Sequence, residues 1–409
     1  MKFRYYNKNI DRKSCHRIWK ENAWIEGKDE QKAMDIFVSD GRNLVAEVND
    51  NAEGIACGKP GNMNYQGNKL KFSAIVAVAT SRIARKQGLE ASLTAQLIAE
   101  KTIAGAHVCG LGIYESGFYD QLGFGLGRQE IIRYFDPSKL KISSEHRTPI
   151  RLGKKDFNKI YQSLASRYRS HGSIMIDSEN YFQAEMKWSG LSFGLGYSNK
   201  FSNEISHFIW IKSAGDNGPY RIAYMAWQNK QQLLELLSLI HSLSDQVSSV
   251  GMVEHPEIQL DQLLEHPVRL NQLTHNTDIA TGRDALSYWQ ARICNLEACI
   301  SACKIDCLPI EFNLKLSDPI AKYLDKQTAW QGLAGEYSVY LGADSKIQPE
   351  LRKGLPLLTT DVNAFTRLWL GVQTARGLSI TDNFSAPEEL ILGLDECFRL
   401  PQPSFNLDF

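Results

Sequence analysis

One segment limits the possible folds more than any other in this sequence. Ala74-Ile75-Val76-Ala77-Val78-Ala79 is a nearly continuous apolar run, the pattern of a strand buried on both faces. A basic, glycine-containing stretch follows it, Arg82-Ile83-Ala84-Arg85-Lys86-Gln87-Gly88. Leu89, Leu93, Leu97 and Ile98 then recur at helical spacing through about Ile103. Strand, basic glycine turn and helix together make an anion site. Backbone N–H groups at the helix N-terminus converge on a phosphate, the helix dipole adds partial positive charge, and glycine allows close approach. Arg82, Arg85 and Lys86 supply charge-assisted hydrogen bonds for a pyrophosphate.

The segments around this unit read as α/β. A helix is predicted around Asp11–Lys20, with strands over Arg42–Val48, Lys69–Ala79 and His107–Gly112. Ser116–Leu122 reads as a short helix closing at Gly123. Pro137, Pro149 and many charges loosen the pattern beyond Arg133, and a first boundary is drawn at residue 136. Strands over Glu204–Lys212 and Tyr220–Trp227 flank the turn Gly215-Asp216-Asn217-Gly218. Gln231–Val247 predicts an amphipathic helix, with His241 in a structural position. From residue 287 a third unit begins. It is read as a helix over Tyr288–Cys303, strands over Pro309–Leu316 and Ala334–Leu341, and a helix over Val362–Leu370. Ser385-Ala386-Pro387-Glu388 has capping-box spacing ahead of a helix carrying Leu390, Leu394 and Phe398. Pro401 and Pro403 stiffen a tail anchored by Phe405, Leu407 and Phe409.

At 409 residues the chain exceeds one ordinary core, and three domains are expected, over 1–136, 137–286 and 287–409. Lys+Arg 46 balances Asp+Glu 46, so the footprint of a dedicated nucleic-acid binder is missing. No leader-like apolar segment or membrane-spanning run is read, and a cytoplasmic location is expected. Cys299, Cys303 and Cys307 share one helical face, with Cys294 just upstream. Without a paired C-x-x-C or a nearby histidine they read as core residues, and no metal is expected.

Val76-x-Val78, Arg85-x-x-Gly88 and Phe118-Tyr119-x-x-Leu122-Gly123-Phe124 together resemble the acetyl-CoA-binding core of the GNAT acyltransferase superfamily. Arg167-x-x-x-His171-Gly172-Ser173 and Val250–Pro256 resemble a second, degenerate GNAT-like domain. Ala291-Arg292-Ile293, Leu368-Trp369-Leu370-Gly371, Leu394-Asp395-x-x-Phe398 and Asp408-Phe409 resemble a sterol-carrier-protein-like C-terminal domain. The order of the three is similar to that of the bacterial enhanced intracellular survival acetyltransferases. The resemblance implies an α/β fold of two GNAT-like domains and a sterol-carrier-like domain. It further implies acetyl-CoA as co-substrate, a homohexamer, and acetylation of primary amines on polyamine-like or aminoglycoside-like small molecules.

Carried onto this sequence, Val78 and Thr80 would meet the pantetheine arm, and Arg85, Lys86, Gln87, Gly88 and Leu89 the pyrophosphate. Tyr119 would be the general acid and the carboxylate of Phe409 the general base. Backbone N–H groups of Val76–Thr80 would stabilise the developing oxyanion. Glu26, Glu115 and Asp408 are the candidate acids for a cationic substrate. The sequence departs from the family at Arg82, where proline is frequent, at Glu90, where small or apolar residues are usual, and in a thinner basic loop. A competing expectation is a lipid or apolar-ligand binder with a vestigial acyltransferase core.

Overall fold

The apolar run Ala74–Ala79 forms the second half of a long strand in a computed structural model describing residues 2–113, 115–199, 202–267 and 281–407. In chain order the first part holds β1 (Lys2–Tyr5), α1 (Lys8–Glu21), α2 (Lys28–Phe37), β2 (Leu44–Val48), β3 (Asn51–Tyr65), β4 (Asn68–Thr80), α3 (Leu89–Ile103), β5 (Val108–Gly112), α4 (Ser116–Asp120) and β6 (Gly125–Leu126). Next come β7 (Glu130–Phe135), β8 (Ile150–Leu152), α5 (Phe157–Ala165), β9 (Ile174–Ile176), α6 (Glu179–Trp188), β10 (Ser192–Ser198), β11 (Ile205–Ser213), β12 (Tyr220–Ala226), α7 (Lys230–His241), β13 (Val250–Val253) and β14 (Gly282–Leu286). The last part holds β15 (Trp289–Ile293), α8 (Leu296–Ser301), β16 (Ile310–Ser317), β17 (Gly335–Leu341), β18 (Lys346–Pro349), β19 (Leu357–Asp361), α9 (Val362–Trp369), α10 (Ala375–Thr381), β20 (Phe384–Ser385) and α11 (Glu388–Cys397).

Three sheets organise these elements. The first runs β1-β2-β3-β4-β5-β15-β6, with β9 added on β3; the second runs β14-β7-β13-β12-β11-β10-β8; the third runs β18-β17-β16-β19-β20. Two strands fall on the other side of the expected cuts at 136 and 287. β15, from after the second unit, inserts between β5 and β6 of the first, while β7, from before it, inserts between β13 and β14 of the second. Sheet membership therefore does not follow cuts at 136 and 287, because Glu130–Phe135 pairs forward and Trp289–Ile293 pairs back.

The helix expected over Tyr288–Cys303 is replaced by β15 and the short α8. All five residues of Trp289–Ile293 are buried, and ladder hydrogen bonds on both sides outweigh local helical spacing. Asn295 then caps α8, its side chain accepting from Ala298 N–H. The capping box at Ser385 does not form either. Ser385 is paired with Thr359 in β20, and α11 opens after Pro387 without a side-chain cap. α7 stops at His241, short of the expected Val247, and its C-cap Ser242 leads into turns. Cys299 and Cys303 are buried, while Cys307 lies 3.3 Å from Cys397, sulfur to sulfur.

Helix α3 is buried nearly all round. It lies against the first sheet and is covered by Ile320, Tyr323 and Leu324 of the third unit. The third unit is joined to the first by Tyr65 stacked on Trp369 at 4.4 Å and by the buried ion pair Arg292–Asp318 at 2.7 Å. Arg292 also donates to the carbonyls of Leu122 and Ile293 and sits over the Trp330 ring. Both charged side chains are fully buried, so removing one leaves the other uncompensated. Asp318→Asn is expected to lower unfolding free energy by about 3–5 kcal/mol, read from urea denaturation of the full chain.

Candidate active site

The site begins where two strands part. β4 runs parallel to β5 only over Phe72–Ala74 and Val108–Gly110, and beyond that the strands diverge. β4 stays paired with β3, but its register shifts between Val76 and Ala79, leaving Ala77 and Val78 outside the ladder. Ala77 takes φ +51°, a left-handed conformation costly for a side-chain-bearing residue. Such a bulge bends the strand and frees backbone groups from the ladder. Val78 is therefore where the resemblance needs an available backbone, whereas the Thr80 carbonyl already accepts from Asn22 Nδ2 at 3.1 Å.

From Thr80 the chain turns through an exposed loop into α3. Arg85 donates to Asn22 Oδ1 at 2.6 Å, so Asn22 ties the loop to the end of β4. Gln87 donates back to the Ile83 carbonyl, and Lys86 has φ +60°. Gly88 has φ +73°, and no heavy atom lies within 4 Å of where a Cβ would stand. α3 has no side-chain cap, and the N–H groups of Leu89, Glu90 and Ala91 have no partner among the described residues. Leu89 is buried, so only its backbone faces the opening. The result is an open, unsatisfied helix N-terminus beside the parted strands, rimmed by Arg85 and Lys86.

The second sheet repeats the parting with a side-chain cap on the next helix. β12 and β13 pair in parallel only over Tyr220–Arg221 and Val250–Gly251. In the following helix, α7, Asn229 accepts from Gln232 N–H at 3.1 Å, and Gln232 Oε1 accepts from Gln228 N–H at 2.8 Å. α3 has no such side-chain cap.

Tyr119 is buried beside α3, edge-on to Phe118 and Phe124. Burial, and secondly the charge of Glu90, push its hydroxyl well above the ordinary tyrosine range, so it keeps its proton at neutral pH. Burial likewise raises the Glu90 carboxyl, while Arg85 opposes the shift. Glu90, a departure from the family pattern, thus reinforces the protonated state of Tyr119.

The C-terminal tail packs on the first sheet where β4 and β5 are still paired. Phe405 stacks on Trp289 at 4.3 Å and meets Phe72 edge-on at 5.6 Å, and its carbonyl accepts from Ile174 N–H. A Cβ on Gly110 would stand 2.7 Å from the Phe405 ring, so this position requires glycine. Ser404 and Tyr288 both donate to the buried carboxylate of Glu130, whose protonation burial favours. Arg167, fully buried, donates to the carbonyls of Ile174 and Asn406, and burial lowers it to about 9. Glu130, Tyr288, Trp289 and Asn22 carried no sequence signal, because each becomes part of the site through pairing between distant segments.

Of the expected site residues, the fold brings Val78, Arg85, Lys86, Gln87, Gly88, Leu89 and Tyr119 to one region, with Thr80 at its edge. Glu26 and Glu115 are exposed and line neither cavity beside the tail. Asp408 and Phe409 lie outside the described residues. One of those cavities, of about 430 Å3, is walled by Ile113, Tyr134, Tyr288, Trp289 and Phe405. A larger polar groove of about 1320 Å3 lies between α5 and α7, and neither Tyr119 nor the basic loop lines it. Among the described residues no group of three metal-ligating side chains occurs, and no helix is long and apolar enough to cross a membrane.

No family model matches the sequence, and no curated protein matches it in sequence. Solved structures do match in three dimensions. A probable N-acyltransferase of Enterococcus faecalis superposes with a TM-score of 0.77 at 14% identity, over 97% of this chain and 96% of that one. Eis1 of Mycobacterium abscessus superposes with a TM-score of 0.77 at 14% identity, over 100% of both chains. A GCN5-related N-acetyltransferase of Kribbella flavida gives 0.74 at 16% identity, over 100% of this chain and 98% of that one. The chain has the fold of the GNAT acetyltransferases. At this identity the likeness establishes architecture, and the chemistry rests on the residues.

Gly110→Ala tests the tail's seat. The added methyl group must displace Phe405 or Phe72. We expect a stability loss of about 1–3 kcal/mol in urea denaturation, with faster proteolytic removal of the tail.

Proposed function

We propose that this protein is an acetyl-CoA-dependent N-acetyltransferase acting on a primary amine of a small molecule. The observation that carries the reading is the open N-terminus of α3 after Gly88, set beside the parted strands β4 and β5. The corresponding helix of the second unit, α7, carries a side-chain cap from Asn229 instead. Arg85, Lys86 and the free N–H groups suit a pyrophosphate, and the bulge at Ala77–Val78 suits a pantetheine amide.

When bound, acetyl-CoA supplies a thioester whose carbonyl carbon gains the bond to the amine nitrogen as its bond to sulfur breaks. Tyr119 holds a proton for the departing sulfur, and its buried, Glu90-flanked hydroxyl stays protonated until that moment. Backbone N–H groups released by the bulge offer stabilisation to the developing oxyanion. The proton leaving the amine passes to a base at the cleft, the role that the family resemblance gives to Phe409.

The hexamer and the sterol-carrier-like character of the third unit also rest on that resemblance. No described feature favours lipid binding. The core of the third sheet is filled by Phe312, Leu314, Leu316, Val339, Leu341 and Leu358. A polycationic acceptor likewise rests on the resemblance alone, because Glu26 and Glu115 stand away from the cavities beside the tail.

Two variants test the reading. Arg85→Glu reverses a charge at the pyrophosphate and should weaken acetyl-CoA by about tenfold or more in calorimetric titration, with the fold intact. Tyr119→Phe keeps the ring and removes the proton. It should lower kcat by about 10²–10⁴-fold with acetyl-CoA affinity unchanged. Unchanged affinity in the first variant would remove the loop from the site, and unchanged turnover in the second would remove Tyr119 from the chemistry.

A further inference from the structure

All eight cysteines are thiols, seven of them buried and Cys307 alone partly exposed. Cys307 leaves the core that holds Cys299 and Cys303 because α8 ends at Ser301, well before it. It lies instead on a bend in the loop that leads into β16. The adjoining Leu308 is 82% exposed, so solutes reach this loop. The backbone of residues 306–308 makes no backbone-to-backbone hydrogen bond among the described residues.

Cys397, the last residue of α11, is buried behind Cys307 with their sulfurs 3.3 Å apart. A covalent bond between them needs an approach of about 1.3 Å. A loop segment without backbone pairing can supply that shift. Access sets the order of events. Burial, and secondly the hydrogen bond with Cys307, push the Cys397 thiol well above the ordinary cysteine range, so it keeps its proton. Cys109 and Cys294 also hydrogen-bond sulfur to sulfur, but both are fully buried and closed to any solute. Contact and access coincide only at Cys307 and Cys397.

We infer that Cys307 is a modification site for a low-molecular-weight disulfide such as oxidised glutathione, and that Cys397 resolves the adduct into an internal disulfide. The Cys307 thiolate attacks one glutathione sulfur, an S–S bond forms to Cys307, and the other glutathione leaves as a thiolate that takes up a proton. Cys397 then gives its proton to water and attacks the Cys307 sulfur, and the second glutathione leaves and is protonated. Two protein thiols lose two electrons, and one glutathione disulfide becomes two thiols. The new bond ties the end of α11, from which the tail departs, to the loop before β16 across 90 residues.

The test exposes the folded full chain to oxidised glutathione, blocks remaining thiols, and reads intact mass and a peptide map. The wild type should lose two hydrogens, show a peptide linking 307 to 397, and return to its starting mass on reduction. Its other six cysteines should be alkylated once the chain is unfolded. In Cys397→Ser the reaction should stop at one glutathione adduct on Cys307. In Cys307→Ser neither adduct nor link should form at the same exposure. An unchanged wild-type mass, a link through any other cysteine, or a buried cysteine modified ahead of Cys307 would overturn the inference.

Discussion

The rest of the structure depends on one strand that returns to the first sheet from beyond the second. β15 pairs with β5 and β6 of the first sheet, while every strand of the second sheet comes from residues 130–286. β15 and β7 are each hydrogen-bonded along both edges. Separating the first two sheets would break the ladder of β9 on β3 and not merely an apolar contact. Trp289 and Glu130 meet the tail at this junction, one by stacking and the other through Ser404.

The tail covers that junction. Phe405 packs on Phe72 and Gly110, where β4 and β5 are still paired, and a glycine at residue 110 is the condition for its fit. Its carbonyls are taken by Ile174 N–H and by Arg167, a cation that donates to backbone carbonyls and the Met175 sulfur. A terminal segment held this way loses the freedom that chain ends usually keep. The two small cavities lie along its path and share Leu407 as a wall.

The two parted strand pairs show how one architecture is specialised by its helix starts. Gly88 leaves α3 without a side-chain cap and approachable, while Asn229 caps α7 at Gln232 N–H. An unsatisfied helix N-terminus is costly unless water or an anion meets it. Its persistence beside Arg85 and Lys86 is what makes the first unit the candidate for cofactor binding.

Short-range pattern was enough to determine β4, the basic loop, α3 and the aromatic segment around Tyr119, because each is written in adjacent residues. The residues around the open start of α3 were legible for that reason. The apolar anchors of the tail were legible too, though not what they would touch. Only the tertiary structure decided that Trp289–Ile293 is a strand, since its five residues look helical alone and become a strand when β5 and β6 offer edges. The long strand β3, with glycines, a proline and polar residues along it, has no clear alternation to read. The partners of Asn22, Glu130 and Arg167 lie in other segments. Local sequence records which residues favour a helix or a strand. Which segment completes which sheet is set by non-local pairing and burial, and so is the chemistry of the cavities between them.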